Sequence, residues 1–163
     1  MSVGSAQEVR DLVELKDDWH RQIHIRRFSR AEEFPEYAAK TRAGTLVVPT
    51  VESEGALNEL DDILAIDGID LVWLAAGDVT KILGVPFKYE DPKVMRLLER
   101  AVNTAEQNGA SIMYNMGLDS PDFDSMAAAA KRLFNVGVRV VGLGAMEWHM
   151  QMALEHIQKN SIG

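Results

Sequence analysis

Two acidic residues, Glu52 and Asp78, each stand where an apolar, β-branched run stops. The runs are Leu46-Val-Val-Pro-Thr-Val-Glu52 and Leu71-Val-Trp-Leu-Ala-Ala-Gly-Asp78, both of strand length and bounded by turn residues. Between them Gly55 to Ala65 is amphipathic and long enough for a crossover helix. Strand, helix and strand at that spacing form a βαβ unit whose two strands are parallel neighbours. Both carboxylates then reach the same carboxyl-terminal edge of the sheet, where α/β folds bind their ligands. Hard oxygen ligands converging at that edge suit a divalent cation such as Mg²⁺. The same two positions also suit acidic residues at helix N-termini, where charge complements the dipole. Spacing alone leaves both readings open.

The elements that must position these groups follow from the rest of the pattern. Ser5 is placed to cap a helix from Ala6 to Leu15, and Glu8 completes a capping-box signature. An irregular basic segment, His20 to Arg30, follows, and then a short helix from Glu32 to Ala43 that Gly44 ends. Residues 1–44 therefore read as a helical and irregular lead-in, and residues 45–163 as strand–helix repeats within one domain, 1–163. Strands are expected over Thr45 to Val51, Asp70 to Ala75, Ser111 to Tyr114 and Val138 to Leu143. Pro92 opens a long helix to about Asn108 that Gly109 closes. Ser120-Pro121 opens another, which runs to Phe134 and is ended by Gly137, and Met146 to Gln158 forms a terminal helix. The class is α/β with parallel strands. About four strand–helix units fall short of a closed barrel, which needs eight strands and typically ~250 residues.

Composition narrows the partners. The chain of 163 residues is 47% hydrophobic and 26% charged, so it can bury a sizeable core. A formal net charge of −8 disfavours nucleic acid and anionic membranes as partners. No cysteine occurs, which removes disulfides, thiolate metal sites and thiol nucleophiles, and favours a cytoplasmic setting. The amino terminus lacks the layout of a signal peptide, and no apolar run approaches the ~18 residues of a membrane span. No glycine-rich phosphate loop occurs, so nucleotide binding is not expected.

Several longer patterns together carry a family resemblance. Val51-Glu-Ser-Glu-Gly55 is followed by Asn58-Glu-Leu-Asp-Asp-Ile-Leu-Ala-Ile-Asp-Gly-Ile-Asp70, and then by Ala75-Ala-Gly-Asp-Val-Thr-Lys-Ile-Leu-Gly84. Asp91-Pro92 with Val94, and Gly137-Val-Arg-Val-Val-Gly142, continue the correspondence in order. From Val3 onward the chain resembles the HpcH/HpaI aldolase (citrate lyase-like) family, whose members fold as (β/α)8 barrels of the phosphoenolpyruvate/pyruvate type. The resemblance covers only the carboxyl-terminal part of that barrel, with Val3 to Arg10 similar to the family's fourth helix. It implies a partial barrel, about its last four strand–helix units, completed or covered by oligomerisation. It further implies that Glu52 and Asp78 ligate a divalent metal, Mg²⁺ or Mn²⁺, and that the backbone N–H groups of Gly77 and Asp78 face a substrate carboxylate. Three departures stand beside the matches. Thr50 occupies a position where relatives often carry Gln, Ala75-Ala76 replaces their Gly-Pro, and the strands bearing their catalytic His and Arg have no counterpart, so no catalytic residue is assigned.

The activity so implied is metal-dependent carbon–carbon cleavage of a pyruvate-like 2-oxo acid. A second copy of the chain, or a separate chain, would supply the missing strands. The alternative is a non-catalytic half-barrel, a remnant or regulatory subunit that keeps an oxo-acid or metal site; a gene fragment is a third reading. Other chemistry-bearing residues have plainer roles. His20 and His24 are four apart but lack a second ligand pair. Glu54 and Asp70 read as surface and turn residues, and Glu147, His149 and His156 as parts of an amphipathic helix. Met146, Trp148, Met150 and Met152 give that last helix an adaptable apolar surface suited to a subunit contact.

Overall fold

A single parallel sheet of five strands carries the structure, here a computed structural model that describes residues 1–23, 34–116, 123–143 and 146–161. The strands are β1 (Ser2–Val3), β2 (Thr50–Val51), β3 (Leu71–Leu74), β4 (Ser111–Asn115) and β5 (Val140–Gly142), and they lie side by side in chain order. The helices are α1 (Ala6–Ile23), α2 (Phe34–Gly44), α3 (Glu54–Asn58), α4 (Leu60–Leu64), α5 (Ala76–Ile82), α6 (Pro92–Gln107), α7 (Phe123–Val136) and α8 (Met146–Ser161). Because the strand order never reverses, crossovers of one hand carry the chain forward in one direction and lay their helices on one face. The helices accordingly touch in sequence: α1 meets α4, α4 meets α6, and α6 meets α7.

The register sorts side chains between the two faces. Val3 pairs with Val51, Val51 with Leu74, Leu74 with Tyr114, and Tyr114 with Val141. Val3, Val51, Leu74 and Tyr114 are buried against the helices. Alternation turns their strand neighbours Thr50, Trp73 and Met113, which also pair with one another, toward the opposite face. On the helix side α6 shows why the packing is one-sided. Asp91 caps it, its Oδ1 accepting from the Lys93 N–H at 2.9 Å, and Pro92 opens it. Val94, Leu98, Ala101, Val102 and Ala105 then form one buried stripe.

Several expectations are corrected. The lead-in is not wholly helical and irregular, because Ser2–Val3 is the first strand of the sheet. Two residues are too few to show a strand's alternation, and only pairing with β2 defines them. The second strand is confined to Thr50–Val51 rather than starting at Thr45. The crossover expected as one helix, Gly55 to Ala65, is broken at Glu59 into α3 and α4. Glu59 leaves helical geometry while its Oε2 accepts the Ala6 N–H at 2.8 Å, capping α1 from a distant part of the chain. The capping box at Ser5 forms in altered form: Ser5 Oγ accepts from the Glu8 N–H at 3.3 Å, while Glu8 returns to the Gly4 N–H at 2.8 Å. Most of the basic run, residues 24–30, lies outside the described residues, and His24 with it.

Gly137 offers a direct test of this packing. It sits between α7 and β5 with φ of 105°, and a Cβ there would lie 2.6 Å from Val102 Cγ1 of α6. Gly137→Ala therefore combines backbone strain with a clash, and should lower unfolding free energy by about 2 kcal/mol in urea titration.

Candidate functional site

Parallel pairing of β2 with β3 puts the groups beyond both strands at one edge. The Trp73 N–H donates to the Pro49 carbonyl, and the Ala75 N–H to the Val51 carbonyl, each at 3.0 Å, so the ladder runs to the end of β3. Glu52 follows β2 directly, is exposed, and on the alternation shares a face with Thr50 and Trp73. The next residue, Ser53, caps α3. Its Oγ accepts from the Ala56 N–H at 3.2 Å and donates to the Val3 carbonyl at 3.3 Å, tying the turn after Glu52 to β1. Gly55 lies against the same turn, where a Cβ would come within 2.7 Å of the Gly4 carbonyl oxygen. The backbone that carries Glu52 is thus held on both sides.

Asp78 lies in the first turn of α5, the place of an acidic residue at a helix N-terminus. Its carboxylate contacts Lys81 Nζ at 3.1 Å, and both side chains are about half exposed. Such a pair contributes little to stability, roughly 0–1 kcal/mol, and yields readily to a competing cation. The Asp78 N–H donates to the Ala75 carbonyl at 3.0 Å. Of the two N–H groups expected to face a substrate carboxylate, that of Asp78 is therefore engaged inside the turn. Gly77 is half-buried, and a Cβ there would meet nothing within 4 Å, so the space beside it is open. The loop beyond α5 folds back on it. Buried Thr80 donates its hydroxyl to the Gly77 carbonyl at 2.8 Å and accepts from the Phe87 N–H at 3.0 Å.

A third polar group at this edge, Asn115, was missed because the fourth strand was expected to stop at Tyr114. β4 runs one residue further, and the polar residue at its end is the same signal that marks Glu52. By register Glu52, Ala75, Asn115 and Gly142 form the next layer above Thr50, Trp73 and Met113. Asn115 Oδ1 accepts from Trp73 Nε1–H at 2.6 Å. Its amide nitrogen lies over Gly142, at 2.5 Å from where a Cβ would stand. A larger residue at 142 would displace this amide.

The donor set is one of hard oxygens. No cluster of three or more His, Asp or Glu side chains suited to a metal occurs among the described residues. Glu52 and Asp78 thus offer at most a two-carboxylate site there. That fits Mg²⁺ or Mn²⁺ chemistry, since Mg²⁺ keeps several waters and often takes one or two protein carboxylates. No helix among the described residues is long and apolar enough to cross a membrane.

Comparison with known proteins bears on this edge. The family profile described as HpcH/HpaI aldolase/citrate lyase matches residues 2–143. The hydroxypyruvate/pyruvate aldolase of Agrobacterium fabrum is 29% identical over 105 residues, which cover 61% of this chain and 40% of that protein. The 2-keto-3-deoxy-L-rhamnonate aldolase of Escherichia coli is 31% identical over 85 residues, or 52% of this chain and 32% of that enzyme. The solved structure of an HpcH/HpaI aldolase/citrate lyase family protein from Burkholderia cenocepacia superposes with a TM-score of 0.67 at 19% identity, covering 96% of this chain and 62% of that one. The chain therefore spans less than half the length of the curated relatives it matches.

The Trp73–Asn115 bond joins the side chains of two neighbouring strands at this edge, and its energy can be isolated. A double-mutant cycle with Trp73→Phe and Asn115→Ala, read by urea unfolding, should return a coupling of about 1 kcal/mol.

Proposed function

Because the chain belongs to the HpcH/HpaI aldolase/citrate lyase family, we propose that it acts in metal-dependent carbon–carbon cleavage of a pyruvate-like 2-oxo acid. The observation that carries this reading is the placement of Glu52 and Asp78 beyond adjoining parallel strands at one edge. Neighbouring strands are about 4.8 Å apart, a spacing two carboxylates can bridge through one cation. Glu52 and Asp78 would hold Mg²⁺ or Mn²⁺, Asp78 exchanging its contact with Lys81 for the metal. The bound ion would supply Lewis-acid stabilisation of the enolate charge left by retro-aldol cleavage.

The remaining roles belong to the chain itself. The open space beside Gly77 admits a substrate carboxylate close to the backbone. Asn115, fixed by Trp73, presents an amide to the same edge. A general base is not assigned, and we place it on a partner that also completes the barrel wall.

Two features support such a partner, a second copy being the simplest. β1 pairs only with β2, and β5 only with β4, among the described residues, so both sheet edges are open. On α8, Met150, Leu154 and Ile157 are 60%, 58% and 56% exposed at helical spacing, an apolar stripe with no cover within the described chain. Of the four apolar residues expected to line this helix, Met150 alone has a described side chain.

The enzymatic reading predicts pyruvate release from 4-hydroxy-2-oxo acids, measured by coupled NADH oxidation, that requires Mg²⁺ or Mn²⁺ and stops with EDTA. Glu52→Gln and Asp78→Asn should each lower the rate roughly 100-fold or more. A folded protein inactive across such a panel, alone and with its genomic neighbours, would favour the non-catalytic half-barrel instead. Sedimentation should show a dimer or larger species at micromolar concentration, and Met150→Glu with Leu154→Glu should shift it toward monomer; a monomeric wild-type chain would remove the partner from the proposal.

A further inference from the structure

Asn115 ends β4 with a side chain whose setting two neighbouring strands define. From β3, Trp73 Nε1–H donates to its Oδ1 at 2.6 Å. An indole N–H only donates, so the amide oxygen must face Trp73 and the NH₂ group must face away. On β5, Gly142 leaves the room that this NH₂ group takes. A Cβ at 142 would stand 2.5 Å from Nδ2 and 3.1 Å from Cγ of Asn115. Gly142 lacks the positive φ of Gly68, Gly84, Gly109 and Gly137, so its backbone admits other residues. The amide is what a side chain there would disturb.

That amide stands in the layer of the candidate site. By register Glu52, Ala75, Asn115 and Gly142 are level on four adjoining strands, and Asn115 is only partly buried. Two strand spacings, about 10 Å, separate the backbone of Asn115 from that of Glu52. The distance is too great for one atom to touch both residues, and it suits the two ends of a short carbon chain. An NH₂ group offers donors and no acceptor, so its complement is an oxygen. The described residues that share this face in the two layers, Thr50, Trp73 and Met113 included, carry no cation. A second carboxylate or a phosphate beside Asn115 would therefore meet the charge of Glu52 without compensation. A hydroxyl accepts the same N–H without that cost.

We propose that Asn115 is a specificity-determining residue for the half of the substrate released as aldehyde. It selects compounds with a hydroxyl on the carbon next to the aldehyde carbon over their alkyl counterparts. The inference rests on the lyase reading above, under which the pyruvate half is held at Glu52, Gly77 and Asp78 and the other half reaches β4. Trp73 is a positioning residue, fixing which end of the amide faces the substrate. An alkyl group opposite the amide leaves a donor unpaired, which is how a hydrogen-bonding site rejects analogues lacking the matching group.

Glycolamide and propionamide serve as unreactive probes that differ only by a hydroxyl in place of a methyl group. In the full ¹⁵N-labelled chain with Mg²⁺ and pyruvate, glycolamide should move the Asn115 side-chain NH₂ and Trp73 indole signals saturably. Its dissociation constant should be about 10-fold below that of propionamide. Asn115→Leu and Gly142→Ala should each erase the difference, and Trp73→Phe should narrow it. In aldol addition to pyruvate, the same preference should give glycolaldehyde a kcat/KM about 10-fold above that of propanal. Equal affinity for the two amides, an unmoved Asn115 NH₂ signal, or a preference that survives Asn115→Leu would overturn the proposal. Failure of the lyase reading is distinguishable: the Gly77 backbone amide would then not respond to pyruvate and Mg²⁺, and this proposal would fall with it.

Discussion

The structure depends on one constraint, the parallel ladder of β2, β3, β4 and β5 held in a single register. Its backbone bonds continue past the strand ends, from the Ser111 N–H to the Asp70 carbonyl at 3.0 Å and from the Met116 N–H to the Gly142 carbonyl at 3.1 Å. Parallel pairing brings every strand's carboxyl end to the same edge, and strict alternation then decides which residue faces which way. Val51, Leu74 and Tyr114 go to the helices; Glu52 and Asn115 go to the other face. A slip of one residue would exchange these sets, burying a carboxylate and exposing the core. The hydrophobic contact of Leu74 and Tyr114 with the helix layer therefore also fixes where Glu52 stands.

Helix packing holds that register from one side only. The stripe on α6 and the buried Leu60, Ile63 and Leu64 of α4 close the helix face. The other face keeps Trp73 and Met113 half-buried, and leaves Val140 39% exposed. One face is thus tightly covered and the other only partly, among the described residues. The same asymmetry divides one strand: Asn115 lies on the open face, while Tyr114 is buried on the closed one.

What could be read from the chain follows from where each determinant lies. The third and fourth strands and α6 were legible because alternation, caps and glycines are local, and Asp91, Pro92 and Gly109 bracket α6 as the residue types require. The first strand was not, since Ser2–Val3 is defined by Thr50 and Val51, nearly fifty residues away. The break at Glu59 was also hidden, because its cause is a hydrogen bond to Ala6. At the site, Glu52 and Asp78 were conspicuous as acids ending apolar runs. Asn115 fell one residue beyond the expected end of its strand. The state of the Asp78 N–H needed the turn of α5, where it donates to the Ala75 carbonyl.

The central claim is that Glu52 and Asp78 share one cation. Anomalous diffraction at the manganese edge, from crystals soaked in Mn²⁺ with pyruvate, tests it most directly. The account predicts one strong peak within about 2.5 Å of a carboxylate oxygen from each residue. Manganese bound elsewhere with this edge empty, or held by Asp78 while Glu52 points away into solvent, would contradict it.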